Sequence, residues 1–270
     1  MICAKIALAL LLVFFATDTF AKEEIHLSTG DWSPYISESL EHQGLIAQLA
    51  REAFANAGIT MDLGFFPWVR ATELSKAGTT DGTIAFVRLK EREKFYYYSD
   101  VLYTGQYVFF HLKSRPLKWN NISDLKNITI AATRGYGGMG EEFIQAEQKG
   151  IIKVLRLTSD KQSFNMLLSQ RVDAVPSDLE VGYVYLRKLY GKDAEKFTHN
   201  SRAIQKAEYH LVISKKAKNG PALIEKFNAG LKKLHKSGRY KEIVREWHDK
   251  PIYRQALPAS YLEQAERNQH

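Results

Sequence analysis

The chain has 270 residues, 45% of them hydrophobic, enough for one large or two small domains with a proper core. Its one cysteine, Cys3, lies in the first residues, which excludes a disulfide framework and leaves the rest of the chain without thiolate chemistry. The formal net charge of +8 suits an anionic surface or ligand, but lysines crowding between Lys215 and Lys241 read as a solvated helix face, and no aromatic platform interleaves them as nucleic-acid binding requires.

Met1 to Lys5 is short and basic, Ile6 to Phe15 is apolar, and Thr19-Phe20-Ala21 offers small residues for cleavage. That pattern predicts a secretory signal peptide over 1–21, since the run is too short to cross roughly 30 Å of hydrocarbon. No cysteine follows it to carry a lipid, so the expected product is exported, periplasmic and not anchored.

Ile25 and Leu27 begin a strand that leads into Gly30-Asp31-Trp32-Ser33-Pro34-Tyr35. Leu45, Ile46, Leu49, Ala53 and Phe54 recur at helical spacing and stop at Gly58. Met61 to Phe66 reads as a strand, Pro67-Trp68-Val69-Arg70 opens a helix ending near Gly78, and Thr83 to Val87 is a further strand. The pattern restarts at Asn121. Strands are expected at Ile128–Ala132, Lys153–Leu157, Asp173–Val175 and Tyr209–Ile213, with helices near Glu141–Lys149, Phe164–Leu168 and Leu223–Leu234, continuing through Ile243 and Trp247. Alternating strands and helices predict a layered α/β architecture. From Pro251 the periodicity is weak, which predicts a surface-packed or frayed tail.

Gly135-Tyr136-Gly137-Gly138-Met139-Gly140 matches the dinucleotide fingerprint between a strand and a helix, with Asp160 beyond the next strand. An exported protein meets little nicotinamide cofactor, and a glycine-rich turn at a helix start also holds smaller anions. No cofactor is expected. Zinc-hydrolase, nucleophile-elbow and P-loop motifs are missing, and the histidines show no metal-ligand spacing, so neither an enzyme nor a metal site is expected.

Aromatic and charged residues cluster instead where strands end, which in open α/β sheets is where loops line the ligand crevice. Trp32 and Tyr35 flank Pro34, and Trp68 follows Pro67. Arg88, Arg92, Arg134 and Asp178 also fall at or beyond strand ends. An arginine there can hold a carboxylate, and an aspartate can take an ammonium.

These residues resemble the family 3 extracellular solute-binding proteins, the periplasmic amino-acid-binding proteins of ABC importers. The likeness rests on Gly30 to Tyr35, Gly44 with Leu49, Pro67-Trp68, Gly78 to Gly82, Glu91-Arg92 before Tyr98-Ser99-Asp100, Gln170 to Asp178, and Gly238-Arg239-Tyr240 with Ile243 to Trp247. It runs from about residue 24 to 248. The resemblance implies a two-lobed, type II periplasmic-binding fold with two hinge crossings, near Tyr107 and Gln205. One lobe then comprises 22–107 and 206–270, and the other 108–205.

The resemblance also implies roles. Trp32 stacks on the ligand, Trp68 forms a second wall, Arg92 clamps a carboxylate, Gly135-Tyr136-Gly137 assists through backbone N–H groups, and Asp178 receives an ammonium from the other lobe. Tyr35 completes the aromatic side. The sequence departs from the family around Ala85, Phe86 and Arg88, where small hydroxyl residues are usual, and at Gln48, where an acid is common. Phe86 narrows the pocket in this reading, while Arg70, Arg88 and Arg134 add positive charge for an acidic guest. The implied protein is a monomer that captures an amino acid or related anion by hinge closure and delivers it to a membrane permease. An exported lyase or dehydratase on the same scaffold, and a ligand-sensing partner of a membrane receptor, are the alternatives.

Overall fold

The computed structural model describes residues 23–267, so the expected signal segment at 1–21 lies outside the described residues. Strand β1 (Glu23–Thr29) pairs in parallel with β2 (Ile59–Phe65) along its whole length and meets β3 (Gly82–Phe86) in parallel at Leu27. Helix α1 (Leu45–Ala55) joins the first two, burying Leu45, Ile46, Leu49, Ala53 and Phe54 as their spacing requires. It packs on α7 (Gly220–Lys236), where the Phe54 and Phe227 rings lie 4.8 Å apart. A side chain at Gly230 would collide with the Ala53 carbonyl, so that glycine sets how closely the two helices approach. Helix α2 (Trp68–Ala77) starts after Pro67 and ends where Gly78 takes the left-handed conformation, φ 77°.

The longest element is β4, 17 residues from Tyr96 to Leu112. It runs antiparallel to β9 (Gln205–Ser214), from Tyr96 opposite Ser214 to Tyr107 opposite Gln205. Beyond Tyr107, β4 leaves β9 and pairs with β7 (Val175–Asp178) and β8 (Phe197–His199). The main sheet therefore has the order β2-β1-β3-β9-β4-β7, with β8 also on β4. Strands β5 (Thr129–Thr133) and β6 (Lys153–Leu157) form a parallel pair, which Ile130 bridges to Ala174 just before β7. Short α3 (Lys90–Glu93) precedes β4, while α4 (Gly140–Gln148), α5 (Asp160–Leu168) and α6 (Leu179–Tyr190) cover the far half.

The C-terminal tail, expected to pack on the surface or fray, is anchored more deeply. After α8 (Arg239–His248), it forms α9 (Pro251–Arg254) and α10 (Ala259–Arg267), with Tyr253, Leu257 and Leu262 buried in the core. Tyr261 donates to the carboxylate of Glu180 at 2.6 Å, Tyr103 donates to it at 3.1 Å, and His248 Nε2 lies 3.3 Å away. Burial pushes that carboxyl upward, but His248 and the hydroxyl donors outweigh it and hold the group below its ordinary range. The cluster ties α6 to β4, α8 and the tail. Among the described residues no helix is long and apolar enough to cross a membrane.

Candidate functional site

The strand-end loops converge on one cavity, where ligand sites form in sheets of this kind. After β1 the chain folds back on itself, with Trp32 N–H donating to the Ile36 carbonyl at 2.6 Å and Ile36 N–H to that of Trp32 at 3.1 Å. This turn holds the Trp32 indole, 7% exposed, against the rings of Tyr35 and Tyr209, both at 5.2 Å. Trp68 enters from the start of α2. Its indole lies over the backbone of Gly30, where any Cβ would come within 2.5 Å of the ring, and its Nε1 donates to the Asp31 carbonyl at 3.3 Å. Trp32, Trp68 and Tyr136 stand nearly edge to face, 6.3 to 6.4 Å apart in each pair. These are favourable aromatic geometries.

Strand β3 supplies Ala85, Phe86 and Val87. Its register against β9 breaks between Thr83 and Phe86, where Ala85 adopts φ 61°, a strained backbone for a residue with a Cβ. The irregularity resets which side chains face the cavity. Arg92 follows on α3. Its guanidinium carbon sits 4.4 Å from the centroid of Phe86, and Nη2 donates to the Gly135 carbonyl at 3.2 Å. Burial lowers its pKa, yet a guanidinium keeps its charge. Among the described residues no carboxylate lies within ion-pair distance of it.

The opposite wall is the glycine turn after β5. A Cβ at Gly137 would approach Leu89 Cδ1 to 2.7 Å and Arg92 Nη2 to 3.2 Å, and one at Gly138 would overlap the Tyr107 ring. The glycines thus let the turn close against Arg92 and Tyr107, a physical reason for the repeated glycines that involves no nucleotide. Tyr136 is fixed by its hydroxyl, which donates to Asp160 at 3.0 Å, while Thr133 donates to the same carboxylate at 2.5 Å. Burial raises the Asp160 pKa against those two hydrogen bonds.

Of the residues singled out from sequence, Trp32, Trp68, Phe86, Arg92, Gly135, Tyr136 and Gly137 line the cavity. Tyr35 and Asp178 lie one layer behind. Asp178 caps the N-terminus of α6, where Oδ1 accepts the backbone N–H of Glu180 at 3.0 Å and of Val181 at 3.3 Å, as well as the Tyr35 hydroxyl at 2.9 Å. Oδ2 accepts the Tyr209 hydroxyl at 2.7 Å. Burial, reinforced by Glu180, pushes this carboxyl up to about 7 despite its donors. Three arginines expected near the ligand stand elsewhere. Arg88 is exposed, paired with Glu93 at 3.3 Å and lying 4.6 Å over Tyr98; Arg134 is exposed and donates to the Arg156 carbonyl at 3.1 Å; Arg70 is exposed on α2. None of the three borders the cavity.

Sequence reasoning missed Ala85, Val87, Tyr107, Gly138 and Tyr209, all of which border the cavity. Tyr107 and Tyr209 sit on β4 and β9, the two strands that run between the halves of the sheet. The signal available for them was the hinge position near residue 107.

A family model described as bacterial extracellular solute-binding proteins, family 3, matches residues 27–250. No curated protein matches the chain significantly. Among solved structures, a mutant of the arginine-binding protein ArgBP from T. maritima is 22% identical, with a TM-score of 0.68 over 83% of this chain and 96% of that one. A histidine kinase sensor domain with similarity to periplasmic binding proteins is 18% identical, with a TM-score of 0.72 over 84% and 97%. An ancestral amino-acid-binding protein, a precursor of cyclohexadienyl dehydratase, is 19% identical, with a TM-score of 0.65 over 84% and 96%. The likeness establishes the two-lobed, type II periplasmic-binding fold, within which β4 and β9 are the long paired strands.

Proposed function

Because the chain belongs to the family 3 bacterial extracellular solute-binding proteins, we propose that it captures a small carboxylate-bearing solute in the periplasm and delivers it to the permease of an ABC importer. The observation that carries this reading is Arg92, a charged guanidinium in an aromatic cavity with no carboxylate to neutralise it. A desolvated cation of this kind favours an anionic guest through charge-assisted, bidentate hydrogen bonds. Trp32, Trp68, Phe86 and Tyr136 enclose the rest of the guest, and the N–H groups after β5 meet it from the facing side.

Capture works by closure. One lobe comprises 22–107 and 206–270, the other 108–205, and the chain crosses between them on β4 and β9 where Tyr107 faces Gln205. Arg92 belongs to the first lobe and the glycine turn to the second, so a guest held by both favours the closed arrangement by its differential affinity. In this reading the protein is exported and acts as a monomer.

A carrier is preferred to an enzyme on this scaffold because Asp178, a buried acid whose carboxyl is pushed up to about 7, is sealed behind Tyr209 and does not border the cavity. The resemblance to a sensor domain supports a related role, in which the closed form docks on a membrane receptor. The test is calorimetry on protein stripped by unfolding and refolding, titrated with small carboxylates, alongside native mass spectrometry of protein taken directly from cells. Binding that weakens about 10- to 100-fold in Arg92→Ala is expected, from the roughly 1.5–3 kcal/mol typical of hydrogen bonds to a charged group. Unchanged affinity in that variant removes the basis of the proposal.

A further inference from the structure

We propose that the guest is a monocarboxylate with a compact apolar body and no ammonium group, which sets this cavity apart from an amino-acid site. The proposal rests on the carboxylate reading above and narrows it. The cavity holds one formal charge, that of Arg92, and no carboxylate lines it. Its other walls are rings, small apolar side chains and glycine backbone.

An ammonium entering this space needs an acceptor, and the buried acids behind its walls, Asp178 and Asp160, are already engaged. Asp178 is completely buried, its two oxygens take four donors, and Tyr209 stands between it and the cavity. Reaching it would require the Tyr209 or Tyr35 hydroxyl to give up its bond. The carboxyl pushed up to about 7 is also a weaker partner for a cation at neutral pH than an ordinary aspartate. In the flanking groove, Asp160 accepts from Thr133 and Tyr136, and Asp31 accepts from Ser37 at 2.7 Å. The hydroxyl protons of Tyr136 and Tyr209 accordingly point at carboxylates outside the cavity.

The free polar capacity runs the other way. Trp32, which lines the cavity, carries a buried Nε1–H without an acceptor, an unmet donor beside the charge of Arg92. An unpaired ammonium buried here would lose its hydration without compensation and would feel the repulsion of Arg92. A singly charged anion instead neutralises the site. The three rings at mutual distances of 6.3 to 6.4 Å resemble a cage that could receive a quaternary ammonium. The charge balance disfavours it, because a zwitterion leaves the net positive charge of the cavity standing.

Matched acids test this directly. The stripped full chain is titrated calorimetrically with hydrocinnamate against L-phenylalanine and isocaproate against L-leucine, pairs that differ only by the ammonium, and with trimethylglycine. The expected result is that the better-binding desamino acid exceeds its amino acid by at least about tenfold, loses that binding in Arg92→Ala, and retains it in Asp178→Asn. An amino acid that binds as well as or better than its partner overturns the inference while leaving the carboxylate reading in place, and so does tighter binding of trimethylglycine. If no compound in either pair binds, or if Arg92→Ala binds the acids unchanged, the carboxylate reading falls and the inference with it.

Discussion

Gly137 shows how a single residue governs the site. Its missing side chain leaves room for Leu89 and for the Arg92 guanidinium, both of which a methyl group would press upon. Gly137→Ala is therefore expected to cost about 1–3 kcal/mol through overpacking and to displace Arg92, lowering carboxylate affinity together with the melting temperature. An unaltered affinity would mean that the turn does not set the arginine's position. At this scale the sequence was legible where chemistry sits at strand ends, as with Trp32, Trp68 and Arg92. It was opaque where geometry turns on one dihedral: Ala85 at φ 61° breaks the alternation at the end of β3, so Ala85, Phe86 and Val87 all border the cavity, while Arg88, beyond the strand, lies over Tyr98. Nor does residue type reveal that Asp178 spends its lone pairs on a helix cap and two hydroxyls.

Among the elements, α6 carries the plainest electrostatic consequence. Burial raises the pKa of its cap Asp178 in the folded state from the ordinary aspartate range to about 7, so the protonated form is the one the fold prefers. Its contribution to stability is fully present below the unfolded value and is lost as pH rises from about 4 to about 7. Asp178→Asn, which keeps an acceptor for the cap but cannot ionise, is expected to flatten that decline by a few kcal/mol. Melting temperatures of both proteins across this window provide the check, and parallel curves would contradict it. The regular strands and amphipathic helices were visible as hydrophobic periodicity. Helix α6 was not, because Val181, Tyr183, Val184 and Tyr185 are β-branched or aromatic and read like a strand. Strand β4 escaped because its register shifts twice, between Tyr98 and Val101 and between Val101 and Tyr103, which breaks the alternation by which strands are recognised.

Across the whole molecule, the tail helices close the far side of the structure. Tyr261 on α10 and His248 on α8 reach Glu180 on α6, whose carboxylate is almost fully buried. Tyr261→Phe removes one donor and is expected to destabilise the fold by about 1–3 kcal/mol, while guest affinity holds, because none of these groups borders the cavity. Denaturant unfolding measured beside calorimetry separates the two effects, and a loss of affinity equal to the loss of stability would show that the tail governs closure. The two-lobed plan was legible from the order of weak motifs along the chain. The tail was not, since Tyr253, Leu257 and Leu262 are too sparse, and too interrupted by Pro258, to announce a packed helix.

The tryptophans have an optical consequence. Trp32 and Trp68 border the cavity, whereas Trp119 packs on Phe109 and Trp247 is hydrogen-bonded to Gln48 in the interior. Two of the four indoles thus lie where a guest arrives, and the other two lie away from the cavity. Emission recorded in a rapid-mixing instrument follows occupancy in real time without a dye, and single Trp→Phe replacements assign each component of the signal to its ring.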